Sequence, residues 1–400
     1  MALDIMKERG VALDRQVFTW RDLVRTPVSK LDDDAFTRVR IILMNGIETF
    51  ALRLGHGMAW MNADLRVPLA QMRRVEKHQQ TLVNWLLPPD MSPLETTIAY
   101  EQVAIEVTAS VAQHEPDAYL AQCYRFGLLE DFDHLYRFSA LLDRLEGKDA
   151  NNILQSYTDV RPGRPTAVEH RAPEDDLREH YDRTTAAPLS KIHAITLTAG
   201  EFQTEDYYMN IGPLFADPVA RQLYAEISAI EEQHVTQYGS MLDPFETPLE
   251  KWMLMQATEV YNYYSCAQSE TNPRVREIWN RFVDYELGQL HAVMELFKKV
   301  EKRDPAEILP AELPEPIEYK SHRAFVRDVL AREVNLRARG KLFIDKSEEG
   351  PDSPSVIYRE QMNSEGSPSE LVATGYRFRP GTELSDGRAG IAAAQEVSAP

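Results

Sequence analysis

Leu223-Tyr-Ala-Glu-Ile-Ser-Ala-Ile-Glu-Glu-Gln-His-Val-Thr-Gln-Tyr238 is the stretch on which the reading of this 400-residue chain turns. Its apolar residues recur every three or four positions, the spacing of a helix with one buried stripe. Glu231 and His234 are three apart, so on a helix they share a face and can present an oxygen and a nitrogen to one point. Taken alone, Glu-x-x-His is also what a solvated glutamate beside a surface histidine looks like. Its weight comes from acids on the neighbouring helices, predicted over 189–211, 218–242, 248–270 and 273–302 with prolines as punctuation.

Glu201 lies on the first of these, Glu231 and His234 on the second, Glu259 on the third, and Glu286 and His291 on the fourth. Leu197, Ile230, Ala257 and Val260 are their neighbours, which puts the acids on or near core-facing stripes where an unpaired charge is very costly. A metal removes that cost. A four-helix bundle that binds two metals uses one inward Glu on two helices and a Glu/His pair on the other two.

The set Glu201, Glu231-Glu-Gln-His234, Glu259 and Glu286 to His291 resembles the ferritin-like superfamily of carboxylate-bridged di-iron proteins, most closely its rubrerythrin-like branch. The resemblance covers roughly a quarter of the chain, 189–302, with the amino-terminal part as a weaker copy. It implies two iron ions, or manganese in their place, held by Glu201 and Glu259 as terminal or bridging ligands and by Glu231 with His234. The implied activity is an oxidoreductase that activates dioxygen or peroxide. The fourth helix departs from the pattern, because Glu286 and His291 are five apart and a regular helix sets them about 140° apart around its axis. A π-bulge eased by Gly288 would bring both inward. Glu286 binding alone, or Gln289 in the histidine position, are the alternatives.

Four more helical patterns run over 36–61, 65–87, from the cap Ser92-Pro-Leu-Glu95 to before Pro116, and 118–146 with Gly147 as C-cap. The two sets can be overlaid: Leu86-Leu87-Pro88 on Leu242-Asp243-Pro244, Pro93-Leu94-Glu95 on Pro248-Leu249-Glu250, Arg125-Phe126 on Arg281-Phe282, Glu130 on Glu286 and His78 on His234. In that register Val75 and Ala104 stand opposite Glu231 and Glu259, so the first unit, with Glu48, His78, Glu106 or Glu101, Glu130 and His134, is expected to be degenerate. The expected architecture is all-α, with two tandem ferritin-like four-helix bundles. An N-terminal extension (1–35) precedes a degenerate bundle (36–147), a linker (148–188), a di-metal bundle (189–302), a linker and basic helix (303–346, the helix over 322–341) and a flexible tail (347–400).

Composition bounds the rest. A net charge of −19 repels phosphate backbones and anionic membrane surfaces, so neither nucleic acid nor membrane is an expected partner. Two cysteines, Cys123 and Cys266, exclude a disulfide framework, a zinc ribbon and a built-in rubredoxin site. Electrons would therefore come from an external donor, and the other partners would be a small-molecule substrate, dioxygen or peroxide. Homodimerisation stays open. A soluble cytoplasmic protein is expected. Gly-x-Gly-x-x-Gly, Walker, Gly-x-Ser-x-Gly and His-Glu-x-x-His patterns do not occur. The rival reading is a metal-free helical interaction protein whose buried acids pair with arginines such as Arg221 and Arg281; a third keeps the metals but acts as a ferroxidase or manganese catalase.

Overall fold

The computed structural model describes residues 3–378. Among the described residues, eight long helices carry the fold: α1 (Ala35–Met61), α2 (Arg66–Asn84), α3 (Pro93–His114), α4 (Ala118–Glu146), α5 (Pro188–Ile211), α6 (Pro218–Ser240), α7 (Pro248–Ser269) and α8 (Pro273–Glu301). Their ends follow local chemistry. The Ser92 hydroxyl accepts from the Glu95 amide at 3.1 Å while the Glu95 carboxylate accepts from the Ser92 amide at 2.8 Å, and Thr247 and Glu250 repeat this box 155 positions later. α4 stops at Gly147, which takes the left-handed conformation (φ 62°) that a glycine accepts without strain.

The helices pair as four hairpins, α1–α2, α3–α4, α5–α6 and α7–α8, and the hairpins then assemble in an order that differs from the tandem expectation. The inner pairs α3–α4 and α5–α6 enclose one bundle, and the outer pairs α1–α2 and α7–α8 enclose the other. One bundle is thus nested within the sequence of the other. Two buried acids explain the pairing. Glu115, at the end of α3, accepts from Ser190 and from His193 (2.8 Å) at the start of α5. Glu270, at the end of α7, accepts from Thr37 (2.7 Å) and lies 3.4 Å from Arg40 at the start of α1. Each clamp ties the third helix of one half to the first helix of the other, so charge satisfaction at the helix ends dictates the exchange.

α1, α3, α5 and α7 form the middle of the molecule, and α2, α4, α6 and α8 flank it. α1 and α5 approach closely at Gly46, where a Cβ would stand 3.0 Å from Gln203 Nε2 and 3.2 Å from the Ala199 carbonyl. Gln203 in turn donates to the Ile42 carbonyl at 2.9 Å.

The segment expected as a linker, 148–188, is instead packed into the gap between α4 and α6. Gly163 lies against the Leu129 carbonyl, the Arg164 amide donates to that carbonyl at 3.0 Å, and the Arg171 amide donates to Gln233 at 2.9 Å. The basic helix is shorter than predicted, α9 (Arg323–Glu333), and it gives way to an antiparallel hairpin of β1 (Leu336–Arg339) and β2 (Leu342–Asp345) whose Phe343 packs on Phe126. The expected flexible tail is corrected over 347–378, which carries α10 (Pro354–Met362) and α11 (Pro368–Ala373). α11 docks between α4 and α6, where Glu226 accepts from the Ser369 amide at 2.7 Å and Arg137 donates to the Ser369 carbonyl at 3.0 Å. Serines that read as low-complexity tail are N-caps and polar anchors here. The remainder of the tail, 379–400, lies outside the described residues. Among the described residues, no helix is long and apolar enough to cross a membrane.

Replacing Gly46 with leucine forces a branched side chain between α1 and α5. An overpacking cost of about 1–3 kcal/mol is expected, seen as a lowered melting temperature in calorimetry; an unchanged transition would contradict the close approach.

Candidate metal centre

Six side chains from four helices meet inside the nested bundle: Glu101 from α3, Asp131 and His134 from α4, Glu201 from α5, and Glu231 and His234 from α6. All six are buried. Asp131 and His134 are three apart, as are Glu231 and His234, so each pair faces the bundle axis from one side of its helix. They form two groups that share a member. Asp131, Glu201, Glu231 and His234 have ligand atoms within 4.8 Å of one another, and so do Glu101, His134 and Glu231.

Glu231 stands between the imidazoles. Its Oε1 lies 3.1 Å from His134 Nδ1 and its Oε2 lies 3.1 Å from His234 Nδ1, with the two rings 6.0 Å apart between centroids. The far nitrogen of each ring has its own carboxylate. His134 Nε2 is 2.8 Å from Glu169, and His234 Nε2 is 2.8 Å from Glu130. Glu130 is fixed by Arg164 (3.0 Å) and Arg171 (2.6 Å), both from the wedged segment. With Nε2–H donated outward, the neutral form of each ring would turn its Nδ1 lone pair to the centre, the arrangement by which an outer carboxylate orients a metal-binding histidine. Tyr208 holds Glu101 in the same way, donating to its Oε1 at 2.5 Å.

Several of these oxygens lack a partner. Asp131 Oδ1 lies 3.3 Å from His234 Nδ1 but out of line for a hydrogen bond, and neither of its oxygens, nor Glu101 Oε2, nor Glu201 Oε2, is hydrogen-bonded. Buried oxygens without donors are expensive. Four carboxylates and two neutral imidazoles balance two divalent cations in charge and supply the oxygen and nitrogen donors such ions take, so the residues present fit a dinuclear metal site.

Electrostatics shows how the cluster manages without metal. Burial alone would push the imidazoles down, but Glu169 and Glu231 hold His134, and Asp131 and Glu130 hold His234, well above the ordinary histidine value. Burial raises Glu101 and Asp131 well above the usual carboxylate range and Glu201 to about 7. Burial would raise Glu231 too, yet the two imidazoles bring it to about 2. Glu130 is likewise lowered against burial, chiefly by Arg171.

The sites predicted from the sequence are divided by this fold. Glu201, Glu231 and His234 meet as expected, but Glu259 and Glu286 lie in the outer bundle with Glu48. His291 joins neither group. α8 is regular through Glu286 and His291, which places the ring away from the axis, 3.0 Å from Arg9 and 2.8 Å from the Glu8 carbonyl. Gly288 accommodates the Val11 carbonyl and makes no bulge. His78 packs on Phe18 and Trp20, and Glu106 accepts from Thr158 at 2.6 Å. Asp131 lies outside the all-glutamate pattern of the resemblance, although Asp-x-x-His has the same three-residue spacing as Glu231-x-x-His234. Glu169, Arg164 and Arg171 carry no periodic signal of their own. Compared with protein-family models, with curated proteins and with solved structures, the chain matches none.

Asp131→Asn and His134→Ala should each lower bound metal as far as Glu231→Ala does, while His291→Ala leaves it unchanged, as measured by elemental analysis of the purified chains. Protons held on the imidazoles and raised carboxylates must leave as metal binds. Metal affinity is therefore expected to fall as pH drops from 8 to 6, with proton release on uptake measurable in weakly buffered solution; affinity independent of pH in that window would contradict the assignment.

Proposed function

We propose that this chain is a non-haem oxidoreductase of the ferritin-like kind, with a carboxylate-bridged di-iron centre in its nested bundle and manganese as the alternative metal. The observation that carries this reading is Glu231, which offers one oxygen toward each of two imidazoles from facing helices and so bridges two positions. Two iron ions held there would supply the redox chemistry that reduces dioxygen or peroxide.

The protein's own residues set the conditions for that chemistry. His134 and His234 keep Nδ1 inward because Glu169 and Glu130 hold the opposite nitrogens. Glu101, Asp131 and Glu201 each keep an oxygen unpartnered, so a carboxylate can change its mode of binding without breaking a hydrogen bond. Tyr238, buried with no partner for its hydroxyl, lies with its ring centroid 6.1 Å from that of His234, and Tyr208 donates to Glu101, so two phenols stand close enough to pass a proton or an electron. Neither cysteine touches the centre, and both are buried as free thiols, so reducing equivalents come from an external donor.

Access favours small molecules. A narrow, mostly apolar cleft lined by Ile42, Tyr100, Val103, Leu197 and Gly200 reaches Glu201 between the middle helices. A passage of that kind suits dioxygen or peroxide better than a bulky substrate. It also favours a second reading, in which the centre acts on peroxide or on ferrous iron with no organic substrate. The metal-free scaffold loses ground on the arginines. Arg221 bonds the Pro213 and Phe215 carbonyls and Arg281 the Val17 carbonyl, so neither neutralises an acid of the cluster.

Iron-loaded full-length protein with a chemical reductant is expected to consume dioxygen or peroxide, and Asp131→Asn/His134→Ala to lose that consumption while keeping its helical circular dichroism. Dioxygen uptake only while ferrous ion is present would select the ferroxidase. Less than about half an equivalent of any transition metal after growth in iron-supplemented medium would overturn the proposal, since a two-metal site calls for about two.

A further inference from the structure

The outer bundle holds a second buried cluster. Glu48 from α1, Glu76 and Gln79 from α2, Gln256 and Glu259 from α7, and Glu286 and Gln289 from α8 converge on its axis, each of them buried. The arrangement copies the nested centre. Glu76-x-x-Gln79 stands 155 positions before Glu231-x-x-His234, and Asp131-x-x-His134 stands 155 before Glu286-x-x-Gln289. Where one bundle has imidazoles the other has amides.

Glutamines do not neutralise carboxylates. Gln79 donates to Glu48 (3.2 Å) and Glu286 (2.5 Å), Gln256 to Glu76 (3.2 Å) and to Glu259, and Tyr263 to Glu48 (2.5 Å), but no lysine or arginine forms an ion pair with any of the four acids among the described residues. Arg73, which donates to the Gly55 carbonyl at 2.8 Å, favours the charged form of Glu76 from a distance but forms no ion pair with it, and Glu48, Glu259 and Glu286 have no such cation. A second and independent feature points to a ligand: the amide oxygens of Gln256 and Gln289, on residues with no exposed surface, have no hydrogen-bond donor. Glu48 Oε2, Glu259 Oε1 and Glu286 Oε2 share that state. Glu48, Glu259 and Glu286 have oxygens within 4.8 Å of one another, the spread of oxygens about 2.1–2.4 Å from a common ion.

We propose that Glu48, Glu259 and Glu286, with Glu76 and the amide oxygens of Gln256 and Gln289 completing the set, form an all-oxygen site for one hard divalent cation of the Mg²⁺ or Mn²⁺ class. Carboxylate and carbonyl oxygens suit such ions, whereas the loss of both imidazoles removes the donors that favour zinc, copper and ferrous iron. The chain would then hold two chemically distinct centres, one with nitrogen donors for redox work and one that pins four helices together.

The test uses the full chain carrying Asp131→Asn/His134→Ala/Glu231→Gln/His234→Ala, which takes four of the six ligands out of the nested centre, after chelator treatment. Titration with Mn²⁺ alone, followed by electron paramagnetic resonance, is expected to remove about one equivalent from the free-ion signal and to raise the melting temperature. Adding Glu48→Gln/Glu286→Gln, which keeps side-chain size, should abolish both effects, and the same pair in the otherwise unaltered chain should leave metal at the nested centre intact. Should that pair not fold, the bound Mn²⁺ of the unaltered chain must show one ion without nitrogen hyperfine coupling. No bound Mn²⁺ in the chain so altered, or binding that survives the glutamine pair, would overturn the site. A nested centre without metal would leave this outcome readable, because the two centres are scored on separate variants.

Discussion

Carboxylates buried at the middle of a helix bundle are the constraint around which this molecule is built. Removing one such charge from water costs several kcal/mol even after relaxation, so every acid must meet a proton, a cation or a hydrogen-bond donor. In the nested bundle the response comes in layers. Imidazoles face the acids from within, Glu169 and Glu130 orient the imidazoles, and Arg164 and Arg171 neutralise Glu130 from the wedged segment. That segment therefore does as much for the centre as the helices do, since without it each imidazole could turn and lose its inward lone pair.

The nested assembly follows from the same requirement at the helix ends. Glu115 and Glu270 each close a helix whose last turn carries negative partial charge, an unfavourable place for an acid. Each finds its donors on the opposite half, and the two halves are locked by reciprocal clamps. The result joins the four middle helices into one core and leaves two axial clusters, one that contains imidazoles and one that contains amides.

Much of this was legible in residue order. The eight long helices, the capping boxes at Ser92 and Thr247, the Gly147 C-cap and the inward set Glu201, Glu231 and His234 all follow from periodicity and cap chemistry. The matching capping boxes recur 155 positions apart, one residue short of the register that the Arg-Phe landmarks set. Aligning Arg125-Phe126 with Arg281-Phe282 puts Val75 against Glu231 and Glu130 against Glu286; a shift of one puts Glu76 and Asp131 there, while Glu259 still faces Ala104 and Glu201 faces Gly46. A helical face is only about 100° wide per residue, so a slip of one turns a ligand into a core position. Pairing between halves was not legible, because both ways of combining the hairpins bury the same stripes. Nor was the role of 148–188 or of 347–378, where isolated polar residues act through long-range contacts and no repeat marks them.

Diffraction from crystals of iron-loaded protein at the iron absorption edge puts the central claim to the most direct trial. Two anomalous peaks about 3.5–4 Å apart are predicted on either side of the Glu231 carboxylate, one beside His134 Nδ1 and one beside His234 Nδ1. A nested bundle free of anomalous density, or a lone peak remote from Glu231, would contradict it.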